Sequence, residues 1–219
     1  MYKAVFLKHL LAIIICCVAM QIKGQVTLGI RTGYTMAWKA NVTWDDDEAY
    51  IHNGGFQISL LSYFNISRTI SLGLEPGFVQ RVTSIQTLGH FGSFESRVLL
   101  NYLELPLMVS AKYPLWNDRW EMNVKAGYGI AYLLSAFRGP NFLTGEDPME
   151  NKGFDFKVNC SQTFNIDHGL HGGFGIAYKI HNSRLFLETD YYMGFQDVSQ
   201  SNTSKNRSVH FGAGYKIVF

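Results

Sequence analysis

Val209-His210-Phe211-Gly212-Ala213-Gly214-Tyr215-Lys216-Ile217-Val218-Phe219, the last eleven residues of the chain, alternate without a break. Val209, Phe211, Ala213, Tyr215, Ile217 and Phe219 share one face of an extended chain. His210, Gly212, Gly214, Lys216 and Val218 share the other. Successive side chains of a strand point to opposite faces, so the segment has a continuous apolar side and a small or charged side. Such a strand suits an outside that meets lipid and an inside that meets a polar lumen.

Seven further segments repeat the pattern. They run over 26–35, 56–65, 70–82, 99–113, 120–134, 170–180 and 185–196. The presumed outer face of 120–134 reads Trp120, Met122, Val124, Ala126, Tyr128, Ile130, Tyr132 and Leu134, against Glu121, Asn123, Lys125, Gly127 and Gly129. Its twelve steps from Trp120 to Tyr132, at ~3.3 Å each and tilted by roughly 45°, rise about 28 Å, close to the ~25 Å apolar band of an outer-membrane barrel. Pro76 interrupts the third segment, where a mid-strand proline loses a ladder hydrogen bond, so a bulge or kink is predicted at Glu75-Pro76-Gly77.

The connections alternate in length. Joins at Ser67-Arg68, Pro114 to Asp118 and Asn182-Ser183 are short, whereas Trp38–Asn53, Thr83–Ser96, Phe137–Asp167 and Ser199–Ser208 read as longer polar loops. Short turns on one rim and long loops on the other predict an all-β fold: an eight-stranded, antiparallel, up-and-down transmembrane β-barrel with both termini on the periplasmic side.

Residues 1–24 read as a secretory signal, with Lys3 and Lys8 before the apolar run Leu10–Met20 and a cut after Gly24. That run is too short for a spanning helix, which needs ~20 apolar residues. The barrel domain is then 25–219. Cys16 and Cys17 leave with the signal, and lone Cys160 excludes an intrachain disulfide framework. Loss of Lys3, Lys8 and Lys23 from 19 basic and 17 acidic residues leaves the mature chain close to neutral, without the clustered basic excess of a nucleic-acid binder.

The inward faces collect Arg31, Arg81, Lys112, Lys125, Lys179 and Lys216 against Glu75, Glu104, Glu121, Glu188 and Asp190, with His171 and His210. An eight-stranded barrel is just wide enough for side chains to fill, and unpaired charges there are costly. A salt-bridged plug is expected, not an ion pathway. No catalytic motif, metal-ligand spacing or cofactor fingerprint accompanies these residues; the acidic run Asp45-Asp46-Asp47-Glu48 lacks the spaced ligands of a calcium loop. Tyr215, Ile217 and Phe219 are expected to form the C-terminal signal read by the barrel-assembly machinery.

Asn101-Tyr102-Leu103-Glu104-Leu105-Pro106-Leu107 resembles the Tyr-Leu-Glu-Ile-Pro-Leu strand of the PorT-like outer-membrane β-barrel family. Gly29-Ile30-Arg31-Thr32-Gly33 and Ala126-Gly127-Tyr128-Gly129 are similar to further motifs of that family. The resemblance implies a barrel in the outer membrane of a Gram-negative bacterium, and it links the chain to protein secretion and surface export. The expected protein is non-enzymatic, contacts outer-membrane lipid, and meets secretion-system or surface proteins through its loops. Two competing readings are a secreted or periplasmic barrel carrying a small ligand and a lipid-modifying barrel enzyme. A soluble barrel should reverse the pattern, with apolar residues inside.

Overall fold

The computed structural model describes residues 26–40, 48–89, 92–115, 119–142, 165–197 and 205–219. The signal segment, Asp45–Asp47 and Cys160 lie outside them. Among the described residues nine strands follow in order: β1 (Val26–Ala40), β2 (Glu48–Asn65), β3 (Ile70–Leu74), β4 (Gly77–Gly89), β5 (Gly92–Leu115), β6 (Trp120–Phe142), β7 (Ile166–Ile180), β8 (Ser183–Asp197) and β9 (Lys205–Val218). All pairings are antiparallel, and β1 pairs with both β2 and β9, which closes the sheet on itself. Because β3 and β4 both lie between β2 and β5, they are two halves of one stave. The barrel therefore has eight staves.

The break between β3 and β4 falls at Glu75-Pro76, as the proline predicts, but it is not a bulge. Ser62 faces Leu74 and Ser59 faces Gly77, three residues apart on each side, so the register passes through without a slip. Leu60 N still donates to Pro76 O at 2.8 Å and Glu75 N to Pro106 O at 3.1 Å. Register shifts occur instead on the long-connection side of the Arg31–Ser59 level: between Asn53 and Gln57, at Asn101/Tyr102 opposite Leu133 and Ser135, and between Met193 and Asp197.

The alternation orients the wall as expected. Leu187 is 62 % exposed and its neighbour Glu188 is 6 %; Ile30, Leu105, Val124, Phe174 and Phe211 are exposed while Arg31, Glu104, Lys125 and His210 are buried. This is the reverse of a soluble calyx. The lumen is not wholly polar, however. Inward-facing Leu61, Tyr63, Met108, Ala177 and Phe186 form one apolar cluster, and Leu100, Tyr102, Ala131, Leu133 and Ala136 form another.

Several segments read as loops are strand. The Thr83–Ser96 join is a hairpin whose strands run to Gly89 and from Gly92, β6 continues to Phe142, β1 and β2 run to Ala40 and from Glu48, and β9 starts at Lys205. In the sequence of these segments, as at Thr83-Ser84-Ile85-Gln86-Thr87-Leu88-Gly89, period-two hydrophobicity is lost although the ladder continues. The ten residues of β6 beyond Tyr132 carry the wall about 23 Å further at ~3.3 Å per residue and roughly 45° tilt.

Candidate functional site

The inward side chains sort into three layers. In the central layer Arg31, from β1, meets three carboxylates: Glu75 at 3.0 Å, Asp190 at 2.5 Å, and Glu188. Lys125, from β6, approaches the same three, at 3.1 Å from Glu75, 2.8 Å from Glu188 and 3.1 Å from Asp190. Tyr63 donates its hydroxyl to Glu75, and Lys216 lies 3.7 Å from Glu188 and 4.0 Å above the Phe186 ring. Three cations thus face three carboxylates, all buried.

Glycines opposite make the space. A Cβ at Gly173 would lie 1.9 Å from Asp190 Oδ1, and one at Gly212 would press on Arg31 Cγ and Cδ at 3.0 Å. Carboxylate oxygens of Glu75, Glu188 and Asp190 lie within 4.8 Å of one another, close enough to hold a metal ion. The guanidinium of Arg31 and the ammonium of Lys125 already sit on those oxygens, so a cation would have to displace both.

The upper layer, toward the long-connection rim, centres on Arg81. Its guanidinium pairs with Glu104 and is sandwiched between the rings of Tyr102 and Tyr192, 4.7 and 4.3 Å from their centroids. His171 packs on Tyr192 with centroids 4.8 Å apart. His210 is held through both ring nitrogens, by Thr35 and Ser208, each at 2.9 Å. Asn206 donates to Asp167 at 2.8 Å and to Tyr102 at 3.2 Å.

The lower layer, toward the short turns, holds Glu121 between Lys179 at 3.5 Å and Arg184 at 3.4 Å. Lys112 donates to Asn65 Oδ1 at 2.7 Å. The eleven charged residues expected inside are all on the lumen face, but not in one network. Six share the central layer, Arg81 and Glu104 form a separate pair, and Lys112, Glu121 and Lys179 belong to the lower layer.

Sequence reasoning missed Arg184, Asp167 and Asn206 as lumen residues. Arg184 was legible, being two steps of two back from Glu188. Asp167 and Asn206 fell in segments read as loop. On the outer surface Tyr215, Ile217 and Phe219 are exposed in register, and Tyr215 Oη donates to Ser183 Oγ at 2.5 Å.

The model of the family described as outer membrane protein beta-barrel domain matches residues 21–200. Among solved structures the chain is similar to Neisserial surface protein A, at 13 % identity and a TM-score of 0.52, over 89 % of this chain and 97 % of that one. It is also similar to the outer membrane protein OprG from Pseudomonas aeruginosa, at 13 % identity and a TM-score of 0.51, over 90 % and 97 % of the two chains. No curated protein matches it. The solved structures speak for the fold, the family match for the rest. With a closed eight-stave wall, apolar outside and charged inside, this chain belongs to the outer-membrane β-barrel domain family and resides in the outer membrane of a Gram-negative cell.

Proposed function

We propose that the chain is a non-enzymatic barrel whose lumen is plugged by its own ion pairs and whose partners are met at its two rims. The observation that carries this reading is the central layer. Arg31 and Lys125 reach from opposite sides to the same three carboxylates, on a cross-section that eight staves leave no wider than its side chains. Opening a path through it would leave buried charges without partners, at several kcal/mol each.

The absence of catalysis is supported by burial. Among the described residues the exposed Tyr128–His168 contact, at 2.7 Å, joins a phenol to an imidazole, whereas Ser208, Thr35 and the His210 that their hydroxyls meet are 0 to 3 % exposed inside the wall. A lipid or peptide substrate has no route to them.

The PorT-like resemblance acquires a physical sense here. In its Tyr-Leu-Glu-Leu-Pro-Leu stretch, Tyr102 and Glu104 hold Arg81 in the lumen while Leu103, Leu105 and Leu107 face lipid. A stretch of that kind serves the barrel's integrity, and a role in secretion or surface export falls to the rims. The strands that continue past the apolar band support the outer rim as the place where surface partners dock.

The test is conductance of the refolded barrel in planar bilayers, paired with affinity capture from detergent-solubilised outer membranes. The expected result is no steady unitary conductance. A large, stable conductance from the unmutated protein would replace the plug with a pore.

A further inference from the structure

Charge balance fails in the lower layer. Among the described residues Glu121 is the carboxylate of that layer, and it is already shared by Lys179 and Arg184. Lys112 has three donors to place, and its hydrogen bond goes to a neutral amide, Asn65. No carboxylate of the described residues lies within ion-pair distance of it. Arg184 Nε is buried without a hydrogen-bond partner. Lys216 leans away toward Glu188 and the Phe186 and Tyr63 rings, at 4.0 and 5.4 Å from their centroids.

Between Lys112, Arg184 and Lys216 lies a cavity of about 20 Å³, also lined by Ser110, Asn123 and the carboxylates Glu121 and Glu188, so that three cations face two carboxylates around it. Space of that size holds one water-sized group. Access is from the short-turn rim. Side-chain exposure rises along the axis, from 1 % at Lys125 to 11 % at Lys216, 18 % at Arg184 and 30 % at Lys179. Partly desolvated cations without enough carboxylates are stabilised by a bound anion far more than by water, because the attraction grows as the dielectric falls.

We propose that this cavity is an anion site open to the periplasm, which takes a chloride ion or one oxygen of a carboxylate between Lys112, Arg184 and Lys216. The site abuts the underside of the central layer and shares Lys216 with it, while Lys112 and Arg184 belong to the lower layer, so its anion can be tested separately from conductance through the lumen.

Crystals of the refolded mature barrel grown in sodium bromide, measured at the bromine edge, test it. The expected result is an anomalous peak in the cavity that is lost in the double variant Lys112→Gln/Arg184→Gln and kept in Lys205→Gln at the opposite rim. Acetate in tenfold excess over bromide separates the two sources: disappearance of the peak assigns the site to carboxylates as well as halides, and persistence assigns it to halides. A cavity empty of bromide in the unmutated protein, or a peak that the double variant retains, overturns the proposal. The Ser110 and Asn123 backbone amides of the unmutated barrel give a second readout that needs no variant. Saturable chemical-shift changes on bromide titration support the site, and changes that stay linear overturn it.

Discussion

Replacing Glu104 by Gln tests the upper layer, where Arg81 has one carboxylate in ion-pair contact among the described residues and is itself 1 % exposed. Removing one side of a buried pair costs about 3–5 kcal/mol, because the other charge is left in the interior. The Gln amide oxygen still accepts one hydrogen bond, which returns about 1 kcal/mol. The Tyr102 and Tyr192 rings keep their hold on the guanidinium in both proteins and drop out of the difference. The expected loss is therefore about 2–4 kcal/mol, or ~30- to ~700-fold in the folding equilibrium at about 1.4 kcal/mol per tenfold. Urea unfolding of the barrel refolded into lipid vesicles measures it. The double variant Glu104→Gln/Arg81→Met removes both charges and should lose less than the two single effects summed, since no buried ion remains unpaired. A single variant within ~0.5 kcal/mol of the parent, with a strictly additive double, would show that Arg81 is hydrated and the reasoning wrong.

Three further outcomes follow from the same geometry. Gly173→Val should destabilise the barrel by ~1–3 kcal/mol by overpacking, since a Cβ there meets Asp190 Oδ1 at 1.9 Å, whereas Gly172→Val, with nothing within 4 Å, should be close to neutral; equal shifts in the heat-modifiability midpoint on gels would contradict this. In a Cys160→Ser background, Asn165→Cys at the long-connection rim should react with an impermeant thiol reagent on intact cells, and Asn182→Cys in the β7–β8 turn should not; labelling of Asn182→Cys alone would invert the topology. Deleting Phe219, or changing it to Asp, should lower outer-membrane levels of the folded form several-fold by blunting the aromatic end of β9, and unchanged levels would remove Phe219 from the assembly signal.

What was legible in the sequence is what period two encodes. Leu187 outside and Glu188 inside, or Val124 outside and Lys125 inside, follow from alternation alone, and Pro76 announced its own break. Pairings were not legible. That Arg31 meets Glu75, Glu188 and Asp190, while Arg81 meets Glu104, depends on the stagger of strands around the wall, which no single strand's pattern carries. The long strands beyond the band were missed for a different reason: at Thr83–Gly89 and Gly92–Ser96 the backbone ladder persists where the sequence no longer alternates. Phe186 and Leu61 show the converse limit, since their apolar side chains are spent on the lumen, where the pattern calls for polar ones.

The seam between β1 and β9 joins the first described strand to the last, with Thr27 beside Val218 and Phe219 N donating to Val26 O at 2.9 Å. Contacts of that sequence separation form late, because the closing loop is nearly the whole chain. Until the final strand arrives, β1 presents an unpaired edge, and an open edge is a template for mispairing. Without β9 the wall cannot seal, because β1 and β8 would each keep an unpaired edge.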